Sequence, residues 1–349
     1  MEKARVAIAA VAAVLALLTG AGASAAPQNS YTVTNLVSDQ QGVALHQDSS
    51  LVNAWGLTAR PTSPWWVSDN GTDVSTLYTA DGTKVPLTVD VKSAPTGAVA
   101  NLGSAFAVSN GMTSAPALFI FSTEEGTILG WNPTVLPTTA VVAVPNTTGA
   151  IYKGLAIAGN RLYATDFHNG RVDVFDGNFQ PVTTAGGFVD QQIPADYAPF
   201  GIQNVEGAIV VTYAKQDADA EDDVAGQGHG FVDMFDTNGN LIVRVAQHGQ
   251  LNSPWGVAMA PASFGAFGGD LLIGNFGDGE ISAFAPQPDG TFELVGQLRG
   301  ADHKVISIDG LWALQFGKGA PNNGPPTTLF FTAGPEDESH GLFGTITTG

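Results

Sequence analysis

The chain has 349 residues, of which 43 are glycine, 20 are proline and none is cysteine, and only 13 % are charged. Disulfides, thiol catalysis and thiolate metal sites are thereby excluded, and a hydrophobic content of 44 % is ample for a packed core and rules out disorder as the native state. The 32 acidic against 13 basic side chains, a formal charge of −19, speak against nucleic acid or anionic lipid as the main partner, because both need a basic footprint.

Lys3 and Arg5 precede an apolar run, Val6–Leu18, and Ala23-Ser24-Ala25 makes a small-x-small cleavage site. This is the pattern of a secretory signal peptide over residues 1–25, so an exported protein is expected: extracellular, or periplasmic where the source has an outer membrane. The run of 13 residues is too short to span a bilayer and no other stretch is long enough, so no membrane span is expected. Residues 26–30 read as a short linker and 31–349 as one domain, whose stability must come from its core without covalent help.

Helical periodicity is scarce in that domain. Its first predicted strand, Tyr31–Val37, alternates apolar and polar residues. From residue 54 a unit recurs that opens on a glycine: Ala54-Trp55-Gly56-Leu57, Pro95-Thr96-Gly97-Ala98, Tyr152-Lys153-Gly154-Leu155, Pro199-Phe200-Gly201-Ile202, Pro254-Trp255-Gly256-Val257 and Ile308-Asp309-Gly310-Leu311. The first unit continues with predicted strands at 65–69, 75–79 and 85–91, and the second at 118–123, 127–131 and 140–144. The third follows at 161–166 and 171–175 with a weak fourth strand near Pro181–Val189. The fourth runs at 208–213, 230–235 and 241–246, and the fifth at 270–275, 280–285 and 292–298. The sixth stops after 328–333 and 341–347, one strand short.

The six glycines are spaced by 41, 57, 47, 55 and 54 residues, the length of a four-stranded propeller blade with loop insertions. Asn-Gly and Asp-Gly each occur five times and predict tight hairpins of type I′ between the strands. The expectation is an all-β, six-bladed β-propeller with four antiparallel strands per blade, its last blade closed by the N-terminal strand, which removes the open sheet edges.

The P-x-G-φ openings and the strand pair after each resemble the repeats of NHL-type six-bladed propellers over essentially residues 31–349. Tyr213-Ala-Lys-Gln-Asp-Ala-Asp219, Gly228-His-Gly-Phe-Val-Asp233 and Glu338-Ser-His-Gly-Leu-Phe-Gly344 are similar to segments of an uncharacterised family of secreted bacterial propeller proteins. That resemblance implies a fold and no activity. Calcium-dependent lactonases, peptide-amidating lyases and sugar or protein binders have similar architecture, so fold does not select a function.

In this topology the residues before the aligned glycines ring the mouth of the central channel: Trp55, Thr96, Lys153, Phe200, Trp255 and Asp309. Three aromatics with one cation and one anion make a ligand platform for a small molecule, glycan or peptide. The alternative is that the aromatics plug the channel and Lys153 pairs with a nearby acid. Turns between second and third strands carry Asp69 and Asn70, Glu124 and Glu125, Asp166 and His168, the stretch from Asp217 to His229, Asn275 and Asp278, and Glu336, Asp337 and His340.

That rim is strongly negative. His168, His229 and His340 are not turn residues, so with Asp166 they are candidates for catalysis, and with Asp217, Asp219 and Asp222 for a divalent cation, Ca²⁺ through oxygens or Zn²⁺ with neutral imidazoles. The Asp-x-Asp-x-Glu opening at Asp217 lacks both the EF-hand glycine, replaced by Asp222, and the twelfth-position Glu. No Gly-x-Ser-x-Gly, Walker or His-Glu-x-x-His motif occurs. Three readings follow: a monomeric exported binding module, a metal-dependent hydrolase or lyase on the same rim, or a structural or adhesive protein.

Overall fold

The computed structural model is described for residues 28–349, so the expected signal peptide at 1–25 lies outside the described residues. Six antiparallel sheets follow one another along the chain. Blade one comprises Ala54–Thr58, Trp65–Asp69, Val74–Tyr78 and Lys84–Asp90, and blade two Pro95–Ala100, Phe119–Thr123, Ile128–Trp131 and Val141–Val144. Among the described residues blade three has Tyr152–Ala158, Arg161–Asp166 and Arg171–Phe175 only. Blade four runs through Tyr197–Val205, Ala208–Lys215, Phe231–Phe235 and Leu241–Gln247, and blade five through Pro254–Met259, Leu271–Asn275, Ile281–Pro286 and Phe292–Gln297. Blade six comprises Leu311–Phe316, Leu329–Ala333 and Leu342–Thr348, completed by the N-terminal strand Tyr31–Ser38.

The closure is antiparallel, from Tyr31 opposite Thr348 to Ser38 opposite Leu342, so the first described strand and the last share one sheet as expected. The innermost strands are buried on both faces, as at Ala54–Thr58, while the outermost alternate with solvent, as at Lys84–Asp90. That gradient explains why inner strands read as apolar runs and outer ones as mixed.

The recurring glycine has a steric cause. A Cβ on Gly56 would stand 2.3 Å from Thr96 O, on Gly97 2.4 Å from Leu155 N, and on Gly201 2.2 Å from Trp255 O. Inner strands of adjacent blades approach too closely there for any side chain. Hydroxyls from one blade then tie the next: Thr96 Oγ1 donates to Tyr152 O at 2.7 Å, and Thr165 Oγ1 to Phe200 O at 2.7 Å.

Three expectations need correction. The fourth strand of blade three is reduced to one bridge, Phe175 opposite Pro181, because Pro181 lacks a donor and Phe188, at φ 56°, and Gly187, at φ 65°, turn the chain away. The Asn-Gly and Asp-Gly turns are not type I′. Gly82, Gly239 and Gly290 take positive φ but their preceding Asp or Asn do not; Asp81 and Asp289 instead accept from backbone amides two residues on. The third concerns blade six, where the repeat position does not fall at Gly310.

In blades one and four the inner strand bulges at Trp55-Gly56 and Phe200-Gly201. The corresponding bulge in blade six lies between Leu311 and Leu314, at Trp312-Ala313. Trp312, not Asp309, therefore occupies the sixth ring position. A Cβ on Gly256 would meet Trp312 O at 2.6 Å, which places Trp312 where Trp255 stands for Gly201. Gly310, at φ +62°, serves the preceding turn instead.

Candidate functional site at the channel mouth

The ring residues Trp55, Phe200, Trp255 and Trp312 fill the channel axis and are at most 9 % exposed. Trp312 stacks on Trp55 at 3.7 Å and on Phe276 at 4.0 Å between ring centroids, with Trp255 and Phe200 each 5.8 Å away. Phe167 extends the cluster to Phe200. Their faces are taken up by one another, so they form a floor. Thr96 is fully buried between blades two and three.

Lys153 rises from this floor. Its Nζ lies 5.4 Å from the centroid of Trp55 and pairs with Glu124 Oε1 at 2.5 Å and Asp222 Oδ1 at 2.9 Å. Only 3 % of the Lys153 side chain meets solvent. Burial works against its charge, yet Glu124 and Asp222 outweigh burial and hold its pKa above the ordinary lysine value. Trp255 Nε1 donates to Lys153 O at 3.0 Å, tying blade five to the same strand.

Asn53 is the second organiser. Its Oδ1 accepts from Trp312 Nε1 at 2.9 Å, and its Nδ2 donates to Glu338 Oε2 at 2.5 Å and Asn70 Oδ1 at 3.1 Å. Asn70 Nδ2 in turn donates to Glu124 Oε2 at 2.9 Å. One continuous polar chain thus runs from Trp312 through Asn53, Asn70, Glu124 and Lys153 to Asp222, with Glu338 as a branch, and draws on five blades.

Glu338 sits in a strained segment. Glu336, Asp337 and Glu338 have φ of 56°, 52° and 64°, a left-handed turn that costs about 1 kcal/mol per residue without glycine. Asp309 Oδ2 accepts from Glu336 N at 2.8 Å, His340 O accepts from Asn53 N at 3.0 Å, and Glu338 N donates to Gly334 O at 3.1 Å. Gly334 itself leaves room for Asn53, whose Oδ1 would stand 2.3 Å from an added Cβ. The turn is held open toward the network by these contacts. Burial pushes the Glu338 carboxyl up to about 7; Glu124 and Asp222 add to the effect, and the Asn53 hydrogen bond and Lys153 oppose it.

Other expected site residues lie apart from the network. His168 Nδ1 is 3.2 Å from Ala220 O, and His229 Nδ1 is 2.9 Å from Val224 O. His340 Nδ1 faces Asp39 Oδ2 at 2.7 Å, and that contact raises its pKa. Asp166 is fully buried and bound to Asn169 and Arg171, holding its own turn. Asp217 accepts from Glu221 N, Asp219 lies on the exposed part of that loop, and Asp222 alone of the loop acids reaches Lys153. Among the described residues no group of three His, Asp or Glu side chains is arranged to hold a metal ion. Sequence reasoning missed Glu338 and Trp312; the pattern Leu311-Trp312-Ala313-Leu314, with alanine for glycine, was the available signal for the latter.

No family model matches the chain. Among solved structures it is similar to the soluble aldose sugar dehydrogenase of Escherichia coli in its apo-form, with a TM-score of 0.56 and 10 % identity over 92 % of this chain and all of that one, a likeness of fold. Uncharacterized protein L690 of Acanthamoeba polyphaga mimivirus is 32 % identical over 330 residues, covering 90 % of this chain and 85 % of its own length. Uncharacterized protein R648 of the same virus is 32 % identical over 329 residues, 90 % of this chain and 80 % of its own. The chain therefore belongs to the family of the mimivirus proteins R648 and L690.

Proposed function

We propose that the protein is an exported propeller that captures a small polar molecule, a sugar or other polyhydroxylated compound or an amine, at the channel mouth. The observation that carries this reading is the polar chain of Asn53, Asn70, Glu124, Lys153 and Asp222 with Glu338 above a closed aromatic floor. Carboxylate and amide oxygens there accept hydrogen bonds from ligand hydroxyls or ammonium groups, and the negative surplus repels anions. The aromatic floor keeps water from the lower side and sharpens those contacts. The ring thus supports ligand recognition through Lys153 and its acids, with Trp55, Phe200 and Trp255 contributing shape.

Titration with a panel of monosaccharides, polyols and amines, read by tryptophan emission, tests the proposal, because Trp55 and Trp312 lie directly under the network. A saturable change lost in Lys153→Met is the expected result. No response from any member at about 10 mM would overturn it.

A second reading rests on Glu338. A half-buried carboxyl near neutrality is suited to give and take a proton, so a hydrolase or lyase using Glu338 as general acid or base is the alternative. The same titrations include Ca²⁺ and Zn²⁺: a hard cation would bind Glu124 and Asp222 by displacing the Lys153 ammonium, and a rise in melting temperature would report it.

A further inference from the structure

Among the described residues blade three has no fourth strand, and the edge this leaves is Arg171–Phe175. Val182 N donates to Val174 O at 2.8 Å and Asp176 N to Gln180 O at 2.8 Å, around the lone bridge of Phe175 with Pro181. Antiparallel alternation then turns the main-chain groups of Val172 outward as well. Past Val182 the chain leaves the edge. Val172 and Val174 line a cleft of about 660 Å³ walled by residues 143–148 of blade two and 179–184 of blade three.

Blade four has nearly the same third strand with its fourth in place. Arg171-Val-Asp-Val-Phe175 corresponds to Phe231-Val-Asp-Met-Phe235, and the ladder positions agree: Asp173 lies opposite Ala164, Asp233 opposite Val211. In blade four the outer strand Leu241–Gln247 sets Arg244 opposite Asp233, with an ion pair from Nε to Oδ1 at 2.5 Å. In blade three no such arginine arrives among the described residues. Asp173 is served by Arg171 of its own strand at 2.7 Å, a side chain 46 % exposed, and by the Tyr152 hydroxyl at 2.9 Å.

We infer that the open edge of blade three is a docking slot for an extended peptide of a partner protein, which completes the blade as its fourth strand and sets an arginine flanked by β-branched residues against Asp173. Blade six shows that this fold accepts its outer strand from a remote segment, since Tyr31–Ser38 comes from the other end of the chain. The overall charge of −19 favours a basic segment.

The probe is Leu-Ile-Val-Arg-Val-Ala-Gln, the outer strand of blade four as a free peptide with fluorescein on its N-terminal amine, titrated with the full chain and read by anisotropy. Saturable binding is expected, weakened roughly tenfold or more in Val172→Pro and in Asp173→Asn, and lost when Glu replaces Arg in the peptide. Val172→Pro removes an outward N–H and spares the inner ladder; should it fail to fold, Asp173→Asn and the charge-reversed peptide decide. Absence of saturation at about 1 mM overturns the inference. So does binding that neither variant weakens, which means that the peptide has replaced the outer strand of blade four. Self-association abolished by Val172→Pro, without peptide binding, overturns it in favour of a second copy.

Discussion

Lys153 Nζ stands 5.4 Å above the ring of Trp55 and 2.5 Å from Glu124 Oε1, so the ammonium buried at the axis is held between an aromatic face and a carboxylate. Neither contact alone accounts for a charge this far from water. The pair with Asp222 completes the balance and, with Glu124, holds the lysine pKa above its ordinary value, so the side chain is a structural keystone.

Lys153→Met should consequently lower unfolding stability by about 3 kcal/mol, because it leaves Glu124 facing Asp222 and Glu338 without a cation. The double variant Lys153→Met with Glu124→Gln should regain more than half of that loss. Denaturant unfolding of the three proteins measures both. A double variant no more stable than the single one would show that the cost is lost packing and not an unpaired carboxylate.

Glu338 makes stability depend on pH in a definite direction. Its folded pKa of about 7 lies above its ordinary value of 4.5, so the folded state holds the proton more tightly. The resulting stabilisation is fully present below pH 4.5 and is lost as pH rises through about 7. Between pH 5 and 8 the wild type should lose roughly 2 kcal/mol from this group, less than full linkage because the side chain keeps some solvent contact. Glu338→Gln should flatten that part of the profile in denaturant midpoints. An unchanged slope would assign the dependence elsewhere.

How much of this was legible in the sequence depends on whether the cause was local. The glycines at 56, 97, 154, 201 and 256 were visible because one steric constraint repeats in five blades. Blade six escaped because Ala313 replaces the glycine, and an unrelated turn glycine, Gly310, stands three residues earlier. The N-terminal closure could be read from the alternation of Tyr31–Ser38. Glu338 could not be, because its place follows from a left-handed turn fixed by Asp309 and His340 and from contact with Asn53, 285 residues away. His168 and His229 drew attention by residue type, whereas their contacts are to nearby loop carbonyls.

The ring register can be checked by exchanging small residues. Gly201→Ala puts a methyl 2.2 Å from Trp255 O and should cost about 3 kcal/mol by forcing blades four and five apart. Ala313→Gly, at the equivalent place in blade six, should cost only about 1 kcal/mol of backbone entropy and lost contact. Equal losses would argue against Ala313 as the counterpart of the repeat glycine. Thermal and urea unfolding give the comparison directly.

Trp312 joins the floor to the network, and two substitutions separate its roles. Trp312→Ala removes the ring stacked on Trp55 and Phe276 and should lower stability by about 4 kcal/mol, the usual cost of emptying a large core site. Trp312→Phe keeps an aromatic face in the stack but deletes the Nε1 donor to Asn53 Oδ1. It should cost only about 1–2 kcal/mol in unfolding. With its Oδ1 unpaired, Asn53 is free to rotate and its grip on the Glu338 carboxylate weakens. Since that hydrogen bond favours the charged form, the Glu338 pKa should rise further in Trp312→Phe, moving the loss of stability to higher pH. Denaturant midpoints across the neutral range, compared with Glu338→Gln in the same background, detect the shift. If Trp312→Phe leaves the pH midpoint in place while lowering stability, the indole acts by packing alone, and the proposed relay from floor to carboxyl through Asn53 fails.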